Sequence, residues 1–292
     1  MKNHFYDLHC DTATTAYFRK TSLEDKNLHI NKKALSAFEK AVQVFAFFYN
    51  DKRTDPGMEF FFSVKNFIEK ETSGVKELTP IFSCEGGNIT DGKLDNIHVL
   101  TENKVKFFSL VWNGASYFAT GQSTDPNEGL TPLGKDCVKE LERNGIIIDV
   151  SHISDKGFAD IEKIATKTFV ATHSNSREVC NHGRNLTDDQ IKIIVERRGL
   201  IGLNLNPPFL NSGSTASYED ILKHAEKILK LGGERTLSLG CDLDGIDSLP
   251  KGFSDVSSLS DLRDFLLREL GTELTEKIFY GNAEAFFNKY IY

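Results

Sequence analysis

The chain lacks the marks of several protein classes. Its five cysteines, at positions 10, 84, 137, 180 and 241, are odd in number, far apart and free of any C-x-x-C pair. That usage fits reduced thiols in a cytosol, not a disulfide framework. No apolar run approaches the roughly 18 residues that a membrane span requires; the most apolar stretch, "AVQVFAFFY", covers only 41–49. The opening "MKNHFYDLHC" carries no apolar signal core, so a cytoplasmic protein without a membrane form is expected. The 35 basic residues are scattered and the net charge is −7, which disfavours nucleic acid as a partner. There is no G-x-G-x-x-G after the first apolar run, and no G-x-S-x-G anywhere, which removes the nucleophilic-serine reading. No repeat, low-complexity segment or Pro/Ser-rich linker marks a boundary, so one domain over 1–292 is expected.

What is present is alternation. Short apolar, β-branched or aromatic runs occur at 4–9, 41–49, 79–85, 105–112, 145–152, 168–173, 199–206 and 236–242. Segments with helical periodicity and helix-start signals lie between them. "TPLGKDCVKELERNG" (131–145) offers Thr131 as a cap, Pro132 in the first turn and Gly145 as a terminator. The stretches 154–166, 187–199 and 258–271 open in the same manner, with Ser or Thr followed by acids. Eight strands alternating with helices predict a parallel α/β sheet, and eight is the number that closes a (β/α)8 TIM-type barrel. A doubly wound open sheet is the competing arrangement.

The polar residues fall at the ends of these runs. His9 and Asp11 close the first, Glu85 the third, His152 the fifth, His173 the sixth and Asp242 the eighth. Barrel active sites collect at the C-terminal rim of the strands, so the six would meet in one cup. Unpaired ions in a partly dry cup cost several kcal/mol each. A divalent cation removes that cost, and imidazoles and carboxylates are its usual ligands. Any one of these residues alone has an ordinary structural explanation; six at five strand ends are hard to place that way. Strand alternation points Cys10, Cys84 and Cys241 away from the cup, as packing residues. Asp7 and Asp149 are candidate outer partners of the ligands. His4, His29, His98, His182 and His224 lack the placement and read as structural, although His29 and His182 lie in strand-to-helix loops.

The stretches "DLHCDT", "SCEGG", "GLTPLGKDCVKELERNGIIIDVSHISD", "ATHSNSREVCNHGRNLTDDQI", "LGCDLDGI" and "YGNAEAFF" resemble the membrane dipeptidase family, zinc peptidases among the amidohydrolase-like barrels. The likeness runs in register from about residue 5 to 288. It implies two zinc ions per chain, with His9 and Asp11 on one, His152 and His173 on the other and Glu85 bridging. A water shared by two such ions is the nucleophile in sites of this type. Asp242 matches the family's general base and acid, and Arg184 the residue that receives the substrate's terminal carboxylate. The resemblance implies hydrolysis of dipeptides, and a homodimer.

Two positions depart from the mammalian members. Trp112 stands where they have a histidine that contacts substrate and the developing oxyanion, and Asn206 where they have a pocket tyrosine. Both changes bear on the substrate pocket rather than on the metals. Other metal barrels, such as deaminases or phosphoesterases, are an alternative class, but many of them carry "HxH" and a modified lysine bridge instead of "HxD" with Glu85. A barrel that keeps its metals and only binds a ligand is the non-catalytic alternative.

Overall fold

The computed structural model describes residues 3–213 and 215–292. Seven parallel strands form one curled sheet: β1 (His4–Cys10), β2 (Lys40–Phe48), β3 (Leu78–Glu85), β4 (Val105–Ser109), β5 (Ile147–Asp149), β6 (Ile201–Leu203) and β7 (Leu237–Leu239). Their order across the sheet is β5-β4-β3-β2-β1-β7-β6. The predicted run 168–173 fills the gap between the two edges, but only as single bridges. Val170 pairs with Asp149 and Ala171 with Ile201. The Val150 amide donates to Val170 O at 2.8 Å, and the Ala171 amide to Leu200 O at 2.9 Å. The sheet is thereby closed into the TIM-type α/β barrel.

The sixth run fails to form a full strand for a local reason. Asp149 Oδ1 accepts the Thr172 amide at 2.9 Å, and Ser151 Oγ accepts the His173 amide at 3.1 Å. Side chains have taken the donors that would have extended the ladder, and pairing stops after Ala171.

Helices cover the outside. Thr131, Ser154 and Thr187 cap the helices Pro132–Arg143, Asp155–Ile164 and Asp188–Glu196, each accepting a backbone N–H three residues on. The fourth predicted helix runs Leu259–Glu276, longer than 258–271, and is kinked at Gly271, where φ is 78°. No helix among the described residues is long and apolar enough to cross a membrane.

Two apolar clusters follow from strand alternation. The larger lies between sheet and helices and includes Cys10, Cys84 and Cys241, in keeping with their predicted direction. The smaller fills the barrel with Tyr6, Leu8, Val42, Val44, Ile81 and Phe107, and is plugged by Ala283, Phe286 and Phe287 of the helix Asn282–Tyr290. Each fully buried aromatic or aliphatic side chain contributes about 1.5–3 kcal/mol. One irregularity positions the site. Asp7 pairs with Gln43 but Cys10 with Phe45, so β1 advances three residues against two on β2. This bulge lets His9 face the interior even though Leu8 beside it does so too.

Candidate metal centre

His9, Asp11, Glu85, His152, His173 and Asp242 are all buried, and their side chains meet at the rim of the barrel. The Glu85 carboxylate lies between two groups. Its Oε1 is 2.7 Å from His152 Nε2 and 3.7 Å from His173 Nε2, while Oε2 is 3.5 Å from His9 Nε2. His9 Nε2 is also 3.7 Å from Asp11 Oδ2.

The hydrogen bonds behind the imidazoles decide where the lone pairs point. Thr172 Oγ1 donates to Asp149 Oδ2 at 2.7 Å, so toward His173 it is an acceptor, and His173 Nδ1 must carry the proton of their 2.8 Å contact. His152 Nδ1 meets Asn113 Oδ1 at 3.1 Å and donates in the same way. Both Nε2 atoms therefore present lone pairs, and they face each other at 2.9 Å. Burial, reinforced by the charge of Arg184, lowers His152 to about 4; burial and its neighbours His9 and His152 hold His173 well below the ordinary value. A cation bound by both, and by Glu85 Oε1, would relieve the repulsion.

A second set of donor atoms lies on the other side of Glu85. His9 Nε2 and Asp11 Oδ1 are buried without a hydrogen-bond partner, and Glu85 supplies the third donor atom through Oε2. Burial alone would raise Glu85, but His9 and His152 outweigh it and hold the carboxyl well below the usual range. The donor chemistry of both sets fits a divalent cation, and Glu85 belongs to each. Asp149 also lies within reach of His9 and His173. It is already saturated by Ser109 Oγ, both donors of Ser151 and both donors of Thr172, so it acts by fixing Thr172. Asp7 plays no comparable part: its oxygens take the Cys241 amide and the Gln43 side chain, which ties β1 to its neighbours.

Asp242 sits beside this set, its Oδ1 3.9 Å from His9 Nε2 and its Oδ2 accepting from Asn204 Nδ2 at 2.9 Å. Burial raises it to about 7; His9 works against that rise, and Asp11 and Glu85 add to it. Its backbone is left-handed, at φ 61°, a conformation aspartate tolerates better than most residues. Gly245 closes the turn against the two carboxylates: a Cβ there would lie 2.0 Å from Asp11 Oδ2 and 2.6 Å from Asp242 Oδ1.

A cavity of about 240 Å³ opens onto the cluster, with Trp112, Arg184 and Asn206 in its wall. Arg184 is 5% exposed, and among the described residues its guanidinium has no ion pair or hydrogen bond. Burial lowers it to about 10, so it stays charged at neutral pH. Trp112 packs edge-on to Phe48, its ring 6.3 Å from that of His152. Asn206 precedes the short helix Pro207–Leu210 without capping it. Asn113, Asn204, Phe209 and Gly245 join the site without a clear sequence signal, and His182, expected to be structural, lines its cavity. The only sign of the two asparagines was their nearness to strand ends, in "VWNG" and "GLNLN".

A parallel barrel whose rim gathers buried carboxylates and facing imidazole lone pairs has the architecture of a metal-dependent hydrolase. Within that class the chain belongs to the membrane dipeptidase family, peptidase family M19, whose model matches residues 7–288; it is thus a metallo-dipeptidase by family. An uncharacterised protein of the pqqA 5′ region in Klebsiella pneumoniae is 34% identical over 197 residues, covering 64% of this chain and 72% of that one. A metallo peptidase from Rhodobacter sphaeroides, solved with a phosphinate mimic of the dipeptide L-Ala-D-Ala, has the same fold. Its TM-score is 0.89 at 23% identity over 100% of both chains. Dipeptidase AC, a family M19 metallo peptidase, gives a TM-score of 0.88 at 24% identity over 100% of this chain and 99% of its own.

Proposed function

We propose that the protein hydrolyses dipeptides at a two-zinc centre held by His9, Asp11, Glu85, His152 and His173. The observation that carries this reading is the pair of donor-atom clusters joined by one carboxylate, Glu85, which offers an oxygen to each. Bound there, divalent ions would supply Lewis acidity for the scissile carbonyl and bring the pKa of a water to roughly 7.

The chain's own residues do the rest. Asp242, raised to about 7 and unprotected on the side facing His9, takes a proton from the attacking water and returns it to the leaving amine. Asn204 holds its other oxygen, so the proton moves at Oδ1. Arg184, a buried cation without a partner among the described residues, pairs with the free carboxylate of the substrate. Trp112 and Asn206 shape the remaining wall and set which side chains fit. With an indole where mammalian relatives carry a histidine, stabilisation of the oxyanion falls to the metal side of the cup.

The deciding experiment joins metal content to turnover. Zinc per chain is measured, then a panel of L,L and L,D dipeptides is assayed before and after chelation. L-Ala-D-Ala heads the panel, since the Rhodobacter relative was solved with its mimic. Two zincs per chain and chelator-sensitive cleavage are expected. Two zincs with no cleavage of any member would reject the reaction while keeping the centre.

A further inference from the structure

His182 has no part in the reaction described above, yet it lines the same cavity as Arg184. Its ring is fixed twice. The centroid lies 4.5 Å from that of Phe209, at an interplanar angle of 38°, and Nδ1 accepts the backbone N–H of Arg184 at 3.2 Å. An imidazole nitrogen that accepts a hydrogen bond carries no proton, so in the neutral ring the proton is on Nε2. Burial, with Arg184 and Arg177 beside it, holds the ring below its ordinary value and keeps it neutral at pH 7. Nε2 has no protein partner among the described residues and is the ring's one free polar edge.

Arg184 shares the platform. Its guanidinium carbon lies 5.6 Å from the centre of the same Phe209 ring. The two side chains, two residues apart, thus both pack against the Phe209 ring, His182 with one N–H and Arg184 with several that the described residues leave unused. Two neighbouring donors suit a group with two acceptor oxygens and a delocalised charge, and a carboxylate is such a group.

We propose that His182 is the second arm of the carboxylate site, with Nε2–H donating to the same substrate carboxylate that Arg184 pairs with. This rests on the dipeptidase reading. It adds a specificity: the site favours peptides whose free carboxylate reaches both arms, and a C-terminal amide loses the ionic pair with Arg184 and one acceptor oxygen.

Two amides separate the near edge of the ring from the far edge. His182→Asn retains an acceptor where Nδ1 meets the Arg184 amide but removes the far donor. His182→Gln carries an N–H near the position of Nε2. Steady-state kinetics on the best dipeptide should show KM raised roughly ten-fold or more in His182→Asn, with kcat within about two-fold, and most of the loss recovered in His182→Gln. Zinc content should be equal in all three proteins. In ring-labelled wild type, the His182 Nε2–H resonance should move when alanine, a carboxylate-bearing product, is added. The reverse ranking, with Asn like wild type and Gln impaired, would overturn the proposal, because only the loop contact would then matter. An unmoved resonance would overturn it too. A wild type that cleaves no dipeptide at all would overturn the dipeptidase reading and this one with it, an outcome distinct from a cleaving wild type whose variants behave alike.

Discussion

Gly245→Ala tests how tightly the two carboxylates are held. The added methyl would lie 2.0 Å from Asp11 Oδ2 and 2.6 Å from Asp242 Oδ1, whereas ordinary contact begins at 3.4 Å. Relief therefore requires a relative shift of about 1.4 Å at Asp11 and 0.8 Å at Asp242, from those same distances. Neither can yield freely. Asp242 is anchored through Asn204, and its amide donates to His9 O at 3.0 Å. Overpacking of this kind costs about 1–3 kcal/mol of stability, a few degrees in Tm for a chain of this size. The larger effect is expected in the chemistry, since a 1 Å misplacement in a catalytic site can cost about 10²-fold. Zinc per chain, kcat on the best dipeptide and thermal unfolding would be measured on the same preparations. Zinc should fall toward one per chain, because Asp11 is displaced while the His152–His173 pair is untouched, and turnover should drop about 10²-fold. Full zinc occupancy with wild-type turnover would refute the reasoning. It would mean that the turn at Gly245 opens without moving either carboxylate.

Three further outcomes are expected. Asp242→Asn should keep zinc near the wild-type content while lowering turnover about 10²-fold or more, and a surviving turnover would remove Asp242 as the proton carrier. Arg184→Ala should act mainly through KM on dipeptides; an unchanged KM would take it out of the carboxylate pocket. The third concerns pH. His224 accepts the Ser176 amide at Nδ1 and meets Leu210 O through Nε2, and burial lowers its pKa. Below about pH 6.5 the unfolded chain takes up a proton that the folded one resists, so its stabilising contribution is present above that pH and is lost as pH falls toward the folded value. The stability gap between wild type and His224→Gln, read from denaturant midpoints, should narrow from pH 8 to pH 5, and a constant gap would refute the assignment.

Much of the site was legible because its chemistry interrupts a simple pattern. Apolar runs that end in His, Asp or Glu stand out, and a parallel barrel sends all such ends to one rim. The residues behind them left no such mark. Asn113 and Asn204 are ordinary loop asparagines until their hydrogen bonds to His152 and Asp242 are seen. The β1 bulge was invisible, since alternation through Tyr6 and Leu8 would have turned His9 outward with Phe5. Asp7, a candidate outer partner from its nearness to His9, spends its oxygens on the Cys241 amide and the Gln43 side chain instead. The sixth strand looked as regular as the others, and only the side chains of Asp149 and Ser151 show why it is cut short. His182 was set aside because a loop histidine carries no periodic signal, and its value depends on Phe209, which is far from it in sequence.

The aromatic plug has a consequence for biosynthesis. Phe287 packs against Tyr6 of the first strand and Phe107 of the fourth, with ring centroids 5.5 and 5.8 Å apart. Residues from both ends of the chain thus complete one interior, and a nascent chain held at the ribosome lacks that closure until residue 287 has cleared the exit tunnel. Until then the strands have a gap at the barrel floor, and chains stalled short of that point expose the apolar residues that the plug covers.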